Sequence, residues 1–460
     1  MRYFLLFLVV INFSLAKVQG QTSQNMSLLY HWNDTSLVVS NAHLNRYNEV
    51  WGYAANGREY AIIGSTVGTH IFDVTNPTNA QQVDMVPGTH QGVDIVHRDY
   101  HDYGDYLYMV CDEGPSKLQI ADLSMLPNSA PLVYESDTLF QRSHNIFIDP
   151  ASGLMYVCGS TYHLMVFSLA DPLNPQLLVN CSQDVAFWDN TIGYVHDIFV
   201  RNDTAYCNAG NEGLFICDFS DPANPQLIGS MDTYQQQGYN HSGWLHPTKP
   251  YYVMADENHG LDLKMVDVSS LSNLNVVSTF NSGVNDSLSI PHNVIIHQDK
   301  AFVSYYHDGV YVYDISDPNN PVVDGFYDTS TEVNATNYRG SWGIYPLLPS
   351  GILVASDMQN GLYILQPPPG FPLGEEELKA TTTVSVFPNP FENEIQVRIP
   401  QYDQQNLIFE LFDLSGKRLL TTNLLQSETV LPLDTEMDAG MYLYRIIGTN
   451  TTMTGKLTRQ

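Results

Sequence analysis

The stretch His307-Asp308-Gly309-Val310-Tyr311-Val312-Tyr313-Asp314-Ile315-Ser316-Asp317-Pro318-Asn319-Asn320-Pro321-Val322-Val323 decides the fold. After the Gly309 turn, Val310, Val312 and Asp314 face one way and Tyr311, Tyr313 and Ile315 the other, the period of a strand. Asp317 to Pro321 then stops it. Proline lacks the N–H that a ladder needs, and Asp and Asn favour local turns. Val322-Val323 resumes an extended run, so the unit is strand, turn, strand.

The unit recurs. Gly213-Leu214-Phe215-Ile216-Cys217-Asp218 precedes Asp221-Pro222-Ala223-Asn224-Pro225, and Leu164-Met165-Val166-Phe167 precedes Asp171-Pro172-Leu173-Asn174-Pro175. Weaker copies run from Thr69, Leu118 and Lys264, and a seventh is Gly361-Leu362-Tyr363-Ile364-Leu365. The spacing is about 46 to 52 residues, with several strands per copy and no long helical pattern between, which signals a β-propeller. Each copy has a strand upstream (Tyr106 to Val110, Ala301 to Ser304) and another before that (Val50 to Tyr53, Val93 to Val96, Asn145 to Ile148, Asp197 to Val200, Asn293 to Ile296). Four strands per copy make a blade, the earliest lining a central channel. The last copy lacks its fourth strand. Ser27 to Asn33 resembles Val322 to Asp328 and is expected to complete it, because an open sheet edge is a liability.

The expected fold is therefore all-β: a seven-bladed β-propeller followed by a small Ig-like β-sandwich. Residues 1–20, with Arg2 before the apolar run Tyr3 to Phe13, read as a signal peptide. The propeller spans 21–366. Residues 367–380, opening on Pro367-Pro368-Pro369 and carrying Glu375-Glu376-Glu377, read as a linker. From 381 to 460 the repeat is gone, and short alternating strands separated by Gly and Asn turns read as the sandwich. The 49 acidic residues against 19 basic ones give a formal charge of −30. That excludes non-specific nucleic-acid binding, which needs a basic footprint. No other apolar run approaches membrane length, so the mature chain is expected to contain no transmembrane segment. Five scattered cysteines are too few for a disulfide framework; they read as small buried residues, with one disulfide open to them.

Val312-Tyr313-Asp314-Ile315-Ser316-Asp317-Pro318 and its copies resemble the LVIVD-repeat proteins, in particular the choice-of-anchor B family of secreted bacterial propellers. The tail resembles the C-terminal sorting domain of type IX secretion substrates. Phe387-Pro388-Asn389-Pro390, Asp413-Leu414-Ser415-Gly416-Lys417, Ala439-Gly440-Met441-Tyr442 and Lys456-Leu457 carry that resemblance in order, so Pro388, Asn389, Pro390, Asp413, Gly416 and Gly440 are its motif residues. It implies type IX secretion machinery as a partner through 381–460, and release from or display on the surface of a gram-negative bacterium.

Chemistry concentrates in one set of residues. His144, His196, His241 and His292 each stand at the start of a channel strand, in four consecutive copies, and are expected to form an arc round one mouth of the channel. His90 lies near the matching place in the second copy, out of register. Neutral imidazoles from separate strands can hold a divalent transition metal, with Asp197 the local candidate to orient a ring. Alternatively, each imidazole simply hydrogen-bonds its neighbouring blade. Polar loops before the core strands (Asp112-Glu113, Asn211-Glu212, Asp256 to His259, His307-Asp308, Asp357) offer oxygen ligands for calcium but read as ordinary turns. No nucleophile elbow, phosphate loop or zincin helix is present. The reading favours a binding module for a protein, glycan or small-molecule ligand. The alternative is a metal-dependent oxidoreductase or hydrolase centred on the four histidines.

Overall fold

The computed structural model describes residues 22–371 apart from 161, 285–286 and 331, and beyond 384 it describes 385–387, 391, 393–398, 407–413, 417–433, 437, 440–447 and 452–459. The proposed signal peptide and much of the proposed linker lie outside these. The chain divides into two units, Met1–Gly374 and Glu375–Gln460.

Among the described residues, the first unit holds seven antiparallel sheets in chain order. Their leading strands are Tyr47–Ala55, Arg98–Tyr103, Asn145–Asp149, Asp197–Arg201, Asn240–Leu245, Val294–His297 and Ser341–Tyr345. Each leading strand touches the next, and the last touches the first, which closes the circle. Apolar residues of facing sheets fill the space between them, as where Tyr156, Phe199, Cys207 and Trp188 share one cluster.

The repeated motif has a physical account. Asp314 Oδ1 accepts the N–H of Ser316 at 2.9 Å and Asp317 Oδ1 that of Asn319 at 3.0 Å, so each carboxylate folds the chain over itself as the strand ends. Asp218 and Asp221 do the same for Ser220 and Ala223. Gly309 enters its strand with φ +87°, where a side chain would meet the carbonyl oxygen of Tyr327. In all seven sheets the register slips between the third and fourth strands, for example between Val312 and Tyr313 or Ile216 and Cys217. A bulge at each outer strand adds twist.

The N-terminal segment straddles two sheets. Ser23–Gln24 pairs with the outer strand Val322–Tyr327, making that sheet five-stranded, and Ser27–Trp32 then pairs with Gly361–Gln366 as the fourth strand of the last sheet. The stretch after Gln366 does not leave at once, as a free linker would. Pro367 and Pro368 are buried, Pro368 lies over Gly325, and Phe371 packs edge-on to Phe302 with ring centroids 5.1 Å apart. All five cysteines are buried and free.

The second unit has a three-stranded sheet (Ser385–Phe387, Glu394–Arg398, Glu428–Pro432) and a four-stranded one (Arg418–Leu424, Leu407–Phe412, Gly440–Ile447, Thr452–Arg459). Phe391, Ile395, Val397, Phe409, Leu411, Ile446 and Leu457 form its core.

Candidate metal centre at the channel mouth

The histidines are set by the strands that follow them. The backbone N–H of His144, His196 and His292 donates to the carbonyl at the end of the adjacent strand, of Cys158, Asn208 and Ser304, at 3.1, 2.8 and 2.9 Å. Each ladder thus runs one step beyond the leading strand and fixes an imidazole at its start. The ring centroids of His144 and His196 are 4.1 Å apart, those of His196 and His241 4.2 Å, and those of His241 and His292 4.3 Å. The arc continues to a fifth histidine. His97 stacks on His144 at 4.3 Å, and Trp342 bridges the remaining gap, 4.4 Å from His292 and 5.4 Å from His97. Six rings therefore make a closed circuit where an open arc was expected.

Two of the rings are oriented from behind. Asp112 Oδ2 lies 2.9 Å from His144 Nδ1, and the Trp342 carbonyl lies 2.6 Å from His292 Nδ1. Both oxygens accept, so each Nδ1 carries a proton, and in the neutral ring Nε2 keeps a free lone pair, the tautomer that binds metal. The Nδ1 atoms of His196 and His241 are buried with no hydrogen-bond partner, as are both nitrogens of His97. One nitrogen from each of His144, His196 and His241 lies within 4.8 Å of the other two, and the same holds for ligand atoms of His241, Glu257 and His292. A tetrahedral zinc with Zn–N near 2.0–2.1 Å needs nitrogens roughly 3.4 Å apart, a small side-chain adjustment away. Glu257 Oε2 stands 3.9 Å from His241 Nε2, and Tyr306 donates to its other oxygen at 2.5 Å.

The electrostatics keep most of these rings neutral. Burial, reinforced by the neighbouring imidazoles, holds His97, His196 and His241 well below the usual histidine range. Burial pushes His292 down to about 3. His144 differs: burial is the largest single influence and opposes its charge, but the hydrogen bond and charge of Asp112, joined by the charges of Asp99 and Glu257, together outweigh it and the net shift is upward. Carboxyls gather nearby with the opposite displacement. Burial raises Asp99 to about 7, Glu257 to about 7 and Asp197 to about 8, and it raises Glu49 too.

The structure brings His144, His196, His241 and His292 together, and it departs from the sequence reading elsewhere. His90 is remote from the circuit: its Nε2 bonds Asp94 at 2.6 Å, and His97 holds the place in its sheet. The leading strand there is Arg98–Tyr103, not 93–96. Asp197 bonds the N–H of Ile198 at 2.6 Å, and the orienting carboxylate is Asp112 instead. The loops of Asp112-Glu113 and Asp256-Glu257, read as turns, thus reach the histidines. His97 had a signal. From His144, His196, His241 and His292 the next strand begins eight to ten residues on, at Leu154, Thr204, Tyr251 and Lys300; Tyr106 lies nine after His97 but sixteen after His90. Of the tail motif, Pro388, Asn389, Pro390 and Gly416 lie outside the described residues. Asp413 accepts the Lys417 N–H at 2.9 Å, and Gly440 opens a strand.

A closed circle of antiparallel sheets with a polar mouth defines the class, a β-propeller. Residues 192–233 and 292–329 match the LVIVD repeat, and residues 385–460 match the secretion system C-terminal sorting domain. The chain thus carries LVIVD repeats on a β-propeller and a secretion sorting domain at its end, the mark of a secreted or cell-surface protein. Its fold is similar to the Cps50 (Swd1) β-propeller domain of Myceliophteria thermophila, at TM-score 0.50 and 12% identity, covering 74% of this chain and 98% of that one. It is also similar to the extracellular domain of a hybrid two-component system from B. thetaiotaomicron, at TM-score 0.51 and 11% identity, covering 95% of this chain and 57% of that one. No curated protein matches the chain. At such identities the likeness speaks to fold alone. No described helix is long and apolar enough to cross a membrane.

Proposed function

We propose that this protein is a propeller exported by the type IX machinery of a gram-negative bacterium, whose channel mouth binds a divalent transition metal. His144, His196 and His241 are the primary ligands, with His292 and Glu257 beside them. One observation carries this: three imidazoles converge to within 4.8 Å, and two of them bury an Nδ1 that has no other partner. Purely structural histidines would bond the neighbouring sheets, as buried polar groups do. Imidazole-rich sets suit zinc, copper, iron or nickel over calcium. Asp112 orients His144 as metal-bound histidines are oriented elsewhere. A second reading, a metal-dependent enzyme, draws on the ligand count. Three imidazoles leave a coordination position open, the pattern of catalytic rather than structural zinc.

Elemental analysis of untagged protein tests this. About one equivalent of metal per chain is expected after supplementation. His196→Ala should lose it while the circular-dichroism spectrum persists, and Asp112→Asn should weaken it by roughly 10- to 100-fold. Substoichiometric metal in the supplemented wild type overturns the proposal.

A further inference from the structure

Between the third and fourth sheets the repeat is broken by an insertion. It carries Cys181–Asp184 and Trp188–Thr191, and among the described residues no other inter-sheet connection of the first unit holds a helix. Trp188 is fully buried, donates its indole N–H to the Gly193 carbonyl at 3.1 Å and anchors the insertion in the adjoining core. Insertions in repeat proteins tend to gather on the binding face. This one forms one wall of a cavity of about 520 Å³.

The cavity is built in layers. Ile192, Ala209 and Gly210 form a buried apolar floor, Tyr194 and Tyr239 half-buried walls, and Asp189, Asn190, Asn211 and Glu212 an exposed rim. Gly210, at φ +56°, is needed there: a side chain would run into the Tyr239 ring, 2.7 Å away. The same two tyrosines flank the metal centre, with ring centroids 6.1 and 5.2 Å from that of His196. The cavity and the histidine circuit thus share a wall.

We propose that this cavity binds a primary alkylammonium, either a free amine or a lysine side chain. Its lining contains two carboxylates, Glu212 and Asp189, the latter 3.3 Å from His163 Nδ1, and no lysine or arginine. That lining, on a chain of formal charge −30, repels anions and draws cations. Tyrosine faces attract an ammonium through the ring quadrupole, most strongly where water is thinned. The floor accommodates methylenes, as apolar pocket surfaces do. The wall shared with His196 sets the bound amine beside the metal centre, a placement that rests on the proposed function; binding in the cavity does not.

Calorimetry on the metal-free, full-length mature protein tests the cavity alone. Butylammonium and Nα-acetyl-lysine methylamide are the cationic probes, and butanol and glucose the neutral ones. Saturable binding of either cation is expected, tighter for the free amine or for the lysine according to the source. Neutral probes should bind at least about tenfold more weakly, the size of one ion contact. Asp189→Asn with Glu212→Gln, both at exposed positions, should abolish that preference without loss of fold. Equal binding of butanol, a preference for glucose, no binding of either cation, or a preference unchanged in the double variant overturns the proposal. Reloading with Cu(II) then tests the shared wall: the bound cation's proton resonances should broaden. Saturable binding without broadening in copper-loaded protein removes the adjacency but keeps the pocket, and failure to take up copper tells against the metal centre alone.

Discussion

A buried nitrogen with no partner costs about 1–3 kcal/mol, and the mouth holds four of them, on His97, His196 and His241. The carboxyls close by are unsettled in the opposite sense. Asp99 and Asp197, raised to about 7 and about 8 by burial, ionise near 4 when unfolded. The folded chain therefore binds these protons more tightly, and stability must fall as pH rises from about 4 through about 8. The depressed histidines act oppositely, but only below about pH 6.5. Between pH 7 and 9 the carboxyls act, joined by His144 with its upward shift. In chelator, the melting temperature should drop across that window, and Asp197→Asn should flatten the drop; an equal drop in the variant would show that Asp197 is not the source. The four histidines were legible in the sequence because each precedes an apolar strand. His97 was not legible that way, although its spacing to the next strand marks it, because its strand reads Arg98-Asp99-Tyr100-His101. Those polar residues are buried by specific bonds: Arg98 to the carbonyls of Ser65 and His90 at 2.8 and 2.7 Å, and Asp99 to the Ile146 N–H at 2.7 Å. Hydrophobic alternation cannot report such a strand, and Val93-Asp94-Ile95-Val96 imitated one.

At the scale of elements, turn chemistry and alternation made the third strand of each sheet the easiest to read, since Asp, Pro and Gly positions are dictated by backbone geometry. The outer strand was harder because one face is exposed and a bulge interrupts its period. The double pairing of the N-terminal segment was half legible. Likeness between Ser27–Trp32 and Val322–Tyr327 pointed to the last sheet, whereas Ser23–Gln24 carries no apolar pattern to place it on the sixth. Deleting residues 23–32 uncovers the edges of both sheets. The shortened protein should lose its single cooperative denaturation transition or aggregate; a sharp, reversible, wild-type-like transition would mean the segment is dispensable.

For the whole molecule, the sorting match at 385–460 and the separate core of the second unit predict an independent role for the tail. A chain ending at Gly374 should melt cooperatively when purified yet fail to reach the cell surface or medium, measured by fractionation. Normal delivery of that chain would contradict the sorting role. The circle of sheets also dictates an order of events. His31 bonds the carbonyl of Asn360, 329 residues later, at 2.7 Å. Ser27–Trp32, made early, is thus among the last strands to find its partner. Until residue 366 is available, residues 27–32 wait as a pairing-competent end, and the sheets between can form only an incomplete stack. Ring closure is then the step of highest contact order, and the one expected to limit the folding rate.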